Sequence, residues 1–180
     1  YKDLIIFAEK MIHMNGKYQG FFIDPYNSLK IQMSQGSRIS THEYHYEAAS
    51  EFLTFAKRND IAVWLNTHAV TEAQRRKGED GLPVAPYAED TEGGGKFVNR
   101  ADSFLTFHRK IQSPEYYIRR TVEFHVRKVR ETETGGEPTP WDEPFYFKMN
   151  DENTGFDSQE KFTPLFKALE FGYMQSTIDI

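Results

Sequence analysis

The 180-residue chain contains no cysteine, which rules out a disulfide framework and any thiolate-ligated metal. No stretch approaches the roughly 18 apolar residues that would cross a bilayer as a helix, and its first residues carry no signal-peptide pattern. A cationic excess is missing too: 22 Lys and Arg face 27 Asp and Glu, for a net charge of −5. Proteins that bind nucleic acid with their whole surface are usually basic, because phosphate neutralisation supplies most of the affinity. Any nucleic-acid contact here must therefore be local, or assembled from several subunits. The phosphate-binding pattern Gly-x-x-x-x-Gly-Lys-[Ser/Thr] is also absent. Asn15-Gly-Lys-Tyr18 has the Gly-Lys pair without the spacing or the hydroxyl, and it follows a helix instead of a strand. These absences fit a cytoplasmic location and no membrane partner.

What is present is apolar and aromatic. Hydrophobic residues make up 38% and aromatics 15% of the chain, enough for one domain with a sizeable core. The chain opens on Tyr1, and the residues after it already read as a helix interior, so we read it as a piece of something longer. Over 2–14, Leu4, Ile5, Ala8, Met11 and Ile12 fall on one helical stripe, and Asn15-Gly16 ends it. Gly20-Phe-Phe-Ile-Asp24 is an apolar run closing on an acid, the pattern of a buried parallel strand. Glu43 to Arg58 reads as a second helix with Ala49, Phe52, Leu53 and Ala56 inward. Ile61 to Leu65 is a second buried strand, followed at once by Asn66-Thr67-His68. Residues 69–95 form a long polar connection, a length usually reserved for functional loops. Strands are expected at Ser103–His108, Tyr116–Val129 and Pro144–Met149, and a terminal helix over 157–171 around Phe162, Leu165, Phe166 and Leu169.

Helix and strand alternate first, and a run of strands follows. That order implies an α/β fold: a parallel sheet flanked by helices, with later strands extending it antiparallel at one edge. Ligands of such sheets bind at the carboxyl ends of the strands, where Asp24 and His68 lie. An acid at such a tip can hold a nucleotide's magnesium, although an Asp before Pro25 also suits a plain turn. A histidine there can touch a terminal phosphate, or can merely be hydrogen-bonded in a half-buried turn. Lys128 and Arg130, two apart on a strand, point to the same side and can reach one anion together, or can decorate a solvated edge. His42-Glu-Tyr-His45 has the wrong spacing for the zinc-protease helix motif; both histidines are expected on a solvated helix start.

Taken together these segments resemble the RecA-like hexameric replicative helicases of the phage primase-helicase, Twinkle and DnaB type, in register from about Gly20 to Phe156. Gly20-Phe-Phe-Ile-Asp-Pro-Tyr-Asn27 looks like the family's Walker B strand, and Asn66-Thr-His68 like its phosphate-sensor strand. Glu92-Gly-Gly-Gly-Lys-Phe-Val-Asn-Arg-Ala-Asp102 resembles its glycine motif, Lys128-Val-Arg130 with Gly135 its Lys-x-Arg and glycine turn, and Tyr146 to Phe156 its closing strand. The resemblance implies that residues 1–156 are the C-terminal portion of a RecA-like ATPase domain, and 157–180 a helical extension. It implies ATP or a dNTP with Mg2+ as cofactor, Asp24 as metal ligand and His68 as γ-phosphate sensor. Lys128 and Arg130 would act in trans, and Arg109 would stack on the base opposite Phe147 or Met149. Single-stranded DNA would meet the loops carrying Arg38 and Arg75-Arg76-Lys77. The implied activity is NTP-driven translocation and unwinding by a hexameric ring, with a primase or primase domain as a further partner. The P-loop and catalytic glutamate would lie upstream of Tyr1. A fragment of this kind is expected to be inactive alone. Two alternatives are a recombination or plasmid-replication ATPase without unwinding, and a non-catalytic assembly module. Glu92 departs from the pattern, standing where relatives carry a basic residue.

Overall fold

A computed structural model describes residues 1–29, 40–91 and 93–158. The apolar stripe near the start winds into α1 (Lys2–Asn15), buries Ile5 and Ala8, and stops where Gly16 takes φ 87° and donates its N–H to Ile12. Strand β1 (Gly20–Ile23) follows, then a 3-10 turn at Tyr26–Ser28. Helix α2 (Thr41–Asn59) begins at a capping box: the Glu43 N–H donates to Ser40 Oγ at 3.2 Å, and the Ser40 N–H donates to the Glu43 carboxylate at 2.7 Å. This pairing satisfies two otherwise orphaned backbone donors. Asp60 ends the helix in the left-handed region, φ 51°, a conformation Asp tolerates better than most residues.

Strand β2 (Ala62–Leu65) lies parallel to β1, with Gly20 opposite Ala62 and Ile23 opposite Leu65. Helices α1 and α2 pack on this pair, and the core comprises Ile5, Ala8, Ile23, Tyr26, Ala48, Phe52, Phe55 and Ile61. Phe55 is the anchor, 1% exposed and edge-on to Phe21 with ring centroids 5.8 Å apart. The inward face of α2 is set by Tyr44, His45, Ala48, Ala49, Phe52 and Phe55, while Leu53 and Ala56 are half-buried. His45 is therefore not on a solvated helix start: it is 3% exposed, with Nδ1 2.9 Å from the Tyr26 hydroxyl. His42, one turn earlier, is exposed.

The connection after β2 holds 3-10 turns at Ala73–Arg75 and Ala88–Asp90 before the short helix α3 (Gly95–Arg100). Strands β3 (Ser103–His108), β4 (Thr121–Val129), β5 (Phe145–Met149) and β6 (Phe156–Ser158) then form an antiparallel sheet in that order. One-turn helices α4 (Tyr116–Arg119) and α5 (Thr132–Gly135) flank β4. The class is α/β as expected, with two differences. Among the described residues the antiparallel strands make a sheet of their own instead of a hydrogen-bonded extension of β1 and β2. Residues 116–119 are helical, because the Arg119 side chain donates to the carbonyls of Ser113 and Pro114 and folds the chain back before β4 starts at Thr121. Strand β6 runs across the 156/157 boundary, and the rest of the expected terminal helix lies outside the described residues.

Candidate functional site

Register places the site. Ile23 and Leu65 are paired at the ends of β1 and β2, so the residues just beyond them leave the sheet side by side. The Asn66 N–H donates to Ile23 at 2.9 Å, and the Tyr26 N–H donates to Asn66 at 2.7 Å. Asn27 completes the lacing: its Oδ1 accepts from Thr67 Oγ1 at 2.7 Å and from the His68 N–H at 2.8 Å. The two tips are thus tied to each other, with Asp24 on one and His68 on the other, both exposed. Among the described residues, neither the Asp24 carboxylate nor the His68 imidazole has a hydrogen-bond or ion-pair partner. In the sequence, Tyr26 and Asn27 stand out only as neighbours of Asp24. The signal for Asn27 is its amide type, which can accept from two donors at once.

Lys128 and Arg130 do converge, but on their own chain. Lys128 Nζ donates to the Val98 carbonyl at 2.6 Å. The Arg130 guanidinium donates to the Arg100 carbonyl at 2.9 Å, lies 3.4 Å from the carbonyls of Asn99 and Ala101, and pairs with Asp102 at 2.6 Å. Both cations therefore cap the carbonyl end of α3, where partial negative charge collects. Partial burial, then the neighbouring Arg130 charge, holds the Lys128 ammonium below its usual pKa. Arg130 keeps 31% of its side chain exposed.

The remaining expected residues divide. Arg109 is exposed and donates to the Arg119 carbonyl at 2.6 Å. Met149 reaches the same corner, its N–H donating to Arg120 at 2.9 Å. Phe147 lies on β5 with its ring edge-on to Phe124 at 6.0 Å. Arg75 and Lys77 are exposed, Arg75 3.7 Å from Glu72. Arg76, the middle residue of the expected DNA-contacting triplet, pairs with Asp90 and lies over the Tyr87 ring at 4.1 Å, with 38% of its side chain exposed. Arg38 and Glu92 lie outside the described residues.

A polar cluster on the four-stranded sheet has no counterpart among the sequence motifs. His108 pairs across strands with Glu123, and Thr106 with buried His125. His108 Nε2 donates to the Pro83 carbonyl at 3.0 Å, and Lys110 reaches Asp80 at 2.7 Å and Glu123 at 3.8 Å. Burial holds the His108 imidazole below its ordinary pKa. For Glu123 burial pushes upward, but His125, His108 and Lys110 outweigh it and hold the carboxyl below its usual value. Arg127, stacked 4.7 Å over the Trp141 ring, extends the same face.

No family model matches the chain, and no curated protein matches it. Among solved structures, the chain is similar to the ATPase domain of a DnaB-like phage replicative helicase, with a TM-score of 0.65 at 15% identity. That match covers 87% of this chain and 50% of the other, so the chain spans half the length of that solved chain. The likeness is one of fold, and the fold is that of a partial RecA-like domain.

Proposed function

We propose that this chain is the C-terminal part of a ring-helicase ATPase that couples NTP hydrolysis to movement along single-stranded DNA and duplex unwinding. The observation that supports the reading is the pair of laced strand tips, which carry an exposed carboxylate and an exposed imidazole that have no hydrogen-bond or ion-pair partner among the described residues. Unspent polar groups held by a rigid frame suit a ligand that supplies their missing contacts. A hard carboxylate oxygen suits Mg2+ bound to nucleotide phosphates, and Asp24 is the residue that would hold it. When bound, that ion would neutralise charge on the phosphates and orient them.

The chain's own residues then have distinct tasks. Asp24 takes a metal-facing oxygen position, and His68 offers a ring nitrogen to the outermost phosphate. Asn27 transmits any shift of His68 to the loop behind it, because it grips that residue's backbone. Lys128 and Arg130 would serve the neighbouring subunit's nucleotide. Their cap on α3 does not forbid this: partly exposed ion pairs contribute only about 0–1 kcal/mol, and a phosphate offers Arg a better bidentate partner. The ring would place Arg75 and Lys77 near the strand, with Arg76 between them held by Asp90 and Tyr87.

In the full-length protein, Asp24→Asn should abolish Mg2+-dependent nucleotide hydrolysis, measured as phosphate release, with the fold retained by circular dichroism. Wild-type hydrolysis by Asp24→Asn would overturn the assignment.

A further inference from the structure

Helix α3 touches both halves of the proposed machinery. On one side it meets the Asp24 tip: the Phe97 ring stands edge-on to Tyr26, with centroids 4.8 Å apart and planes at 70°. Tyr26 is 3% exposed, donates its N–H to Asn66 at 2.7 Å, and has its hydroxyl 2.9 Å from His45 Nδ1. Its backbone therefore belongs to the laced tips, while its ring is held between α2 and α3. On the other side, the Val98 carbonyl receives Lys128 and the Arg100 carbonyl receives Arg130. The residue whose ring touches Tyr26 is followed at once by the one whose carbonyl binds Lys128. The glycines ahead of α3 seat it without slack. Gly93 and Gly94 take φ 80° and 50°, a region that suits glycine. A Cβ on Gly93 would lie 2.9 Å from both His45 Cβ and Phe97 Cε2, so the backbone itself packs against the two side chains that hold Tyr26.

We propose that Phe97 is a positioning residue: through α3 it ties the place of Lys128 and Arg130 to the place of the Asp24 and His68 tips. The inference rests on the trans role proposed above for the two cations. Close-packed interiors transmit displacement instead of absorbing it, and α3 is only six residues long, its last turn closed by the Ala101 N–H on the Phe97 carbonyl at 2.8 Å. A shift of the Phe97 ring therefore moves the carbonyls that Lys128 and Arg130 grip. A misplacement of about 1 Å in a group aimed at a reacting centre can cost about a hundredfold in rate. The Phe97 ring thus acts on hydrolysis without touching nucleotide, through the stance of Arg130.

Phe97→Leu and the gentler Phe97→Met remove the edge-on ring while keeping the position apolar and filled, so that one poorly folding variant does not decide the matter. Each is made in the full-length protein, alone and together with Arg130→Ala, and read by kcat and KM for Mg2+-dependent phosphate release and by Tm. Loss of the ring should lower kcat by about tenfold or more, with KM within about twofold of wild type. In the Arg130→Ala background the same substitution should lower kcat by less than about twofold, while Tm falls equally in both backgrounds. An equal fractional loss of kcat in both backgrounds would overturn the inference, because the ring would then only hold the fold. Wild-type kcat in both Phe97 variants would overturn it as well. Arg130→Ala alone hydrolysing as fast as wild type would refute the trans role on which the inference stands, and that single variant tells the two failures apart.

Discussion

Replacing Asn27 by Ala removes a side chain that ties the Asp24 tip to the His68 tip. Two hydrogen bonds to Asn27 Oδ1 are lost, one from Thr67 Oγ1 at 2.7 Å and one from the His68 N–H at 2.8 Å. Each is worth about 0.5–1.5 kcal/mol net, and a donor left buried would cost more. Thr67 is half-buried and His68 exposed, so water re-solvates much of what is exposed, and the expected loss is about 1–2 kcal/mol in total. For a domain of this size each kcal/mol lowers Tm by about 2–4 °C, so a drop of about 2–8 °C should be seen by calorimetry. The informative quantity is the coupling. In a double-mutant cycle, Asn27→Ala and Thr67→Val should be non-additive by about 0.5–1.5 kcal/mol, because the second substitution removes a partner already stranded by the first. Full additivity would refute the lacing. In the full-length protein Asn27→Ala should also lower hydrolysis while nucleotide binding stays within a few-fold, since Asp24 is untouched.

Stability should fall on acidification in two steps. Burial lowers the folded pKa of His108, so the unfolded chain binds its proton more readily; that contribution is complete above the unfolded value near 6.5 and is lost as pH falls through the lower folded value. Glu123, also held below its ordinary 4.5 in the folded state, adds a loss at still lower pH by the same sign. Urea midpoints measured between about pH 7 and 4 should therefore decline, and His108→Gln should flatten the upper part of the decline; an unchanged slope would place the titrating group elsewhere. Arg75→Ala with Lys77→Ala in the full-length protein should reduce the salt slope of single-strand binding by about 1.4, from about 0.7 per lost phosphate contact, whereas Arg76→Ala should instead cost about 1–2 kcal/mol of stability through its lost ring contact and ion pair. Arg130→Ala should reduce hydrolysis by about a thousandfold or more with nucleotide binding nearly intact, and Asp102→Ala, which removes the guanidinium's ion pair but leaves its bonds to the α3 carbonyls, should leave hydrolysis standing; equal loss in both variants would confine Arg130 to its cap on α3.

The parallel half of the fold was open to sequence reading because its signals are local. The helical stripe of residues 2–14, the inward face of Glu43 to Arg58, and the apolar runs Gly20 to Ile23 and Ile61 to Leu65 each fix a backbone choice within a few residues; the Ser40–Glu43 capping box that starts α2 two residues earlier went unread. The lacing by Asn27 was not legible: its partners Thr67 and His68 are some forty positions away, and only the strand register brings them together. The intramolecular partners of Arg76 were hidden for a related reason. Three consecutive cations suggest one shared surface, yet Arg75 closes a 3-10 turn and Arg76 lies just beyond it, where Tyr87 and Asp90 meet its side chain. The same blindness to partners applies to Lys128 and Arg130. Their shared side follows from the strand period, but the helix end they cap is formed by Val98 to Ala101, which carry no complementary charge in the sequence. Residues 116–119 read as strand because their own alternation suits one, and the Arg119 side chain, bonding back to Ser113 and Pro114, overrode it.

The most direct test of the account is a kinetic double-mutant cycle on Asp24→Asn and His68→Ala in the full-length protein, reading kcat/KM for Mg2+-dependent phosphate release. If the two side chains serve one triphosphate, the double variant should lose much less than the product of the single losses. Losses that multiply cleanly, or a His68→Ala variant as fast as wild type, would contradict the claim that these strand tips form one site.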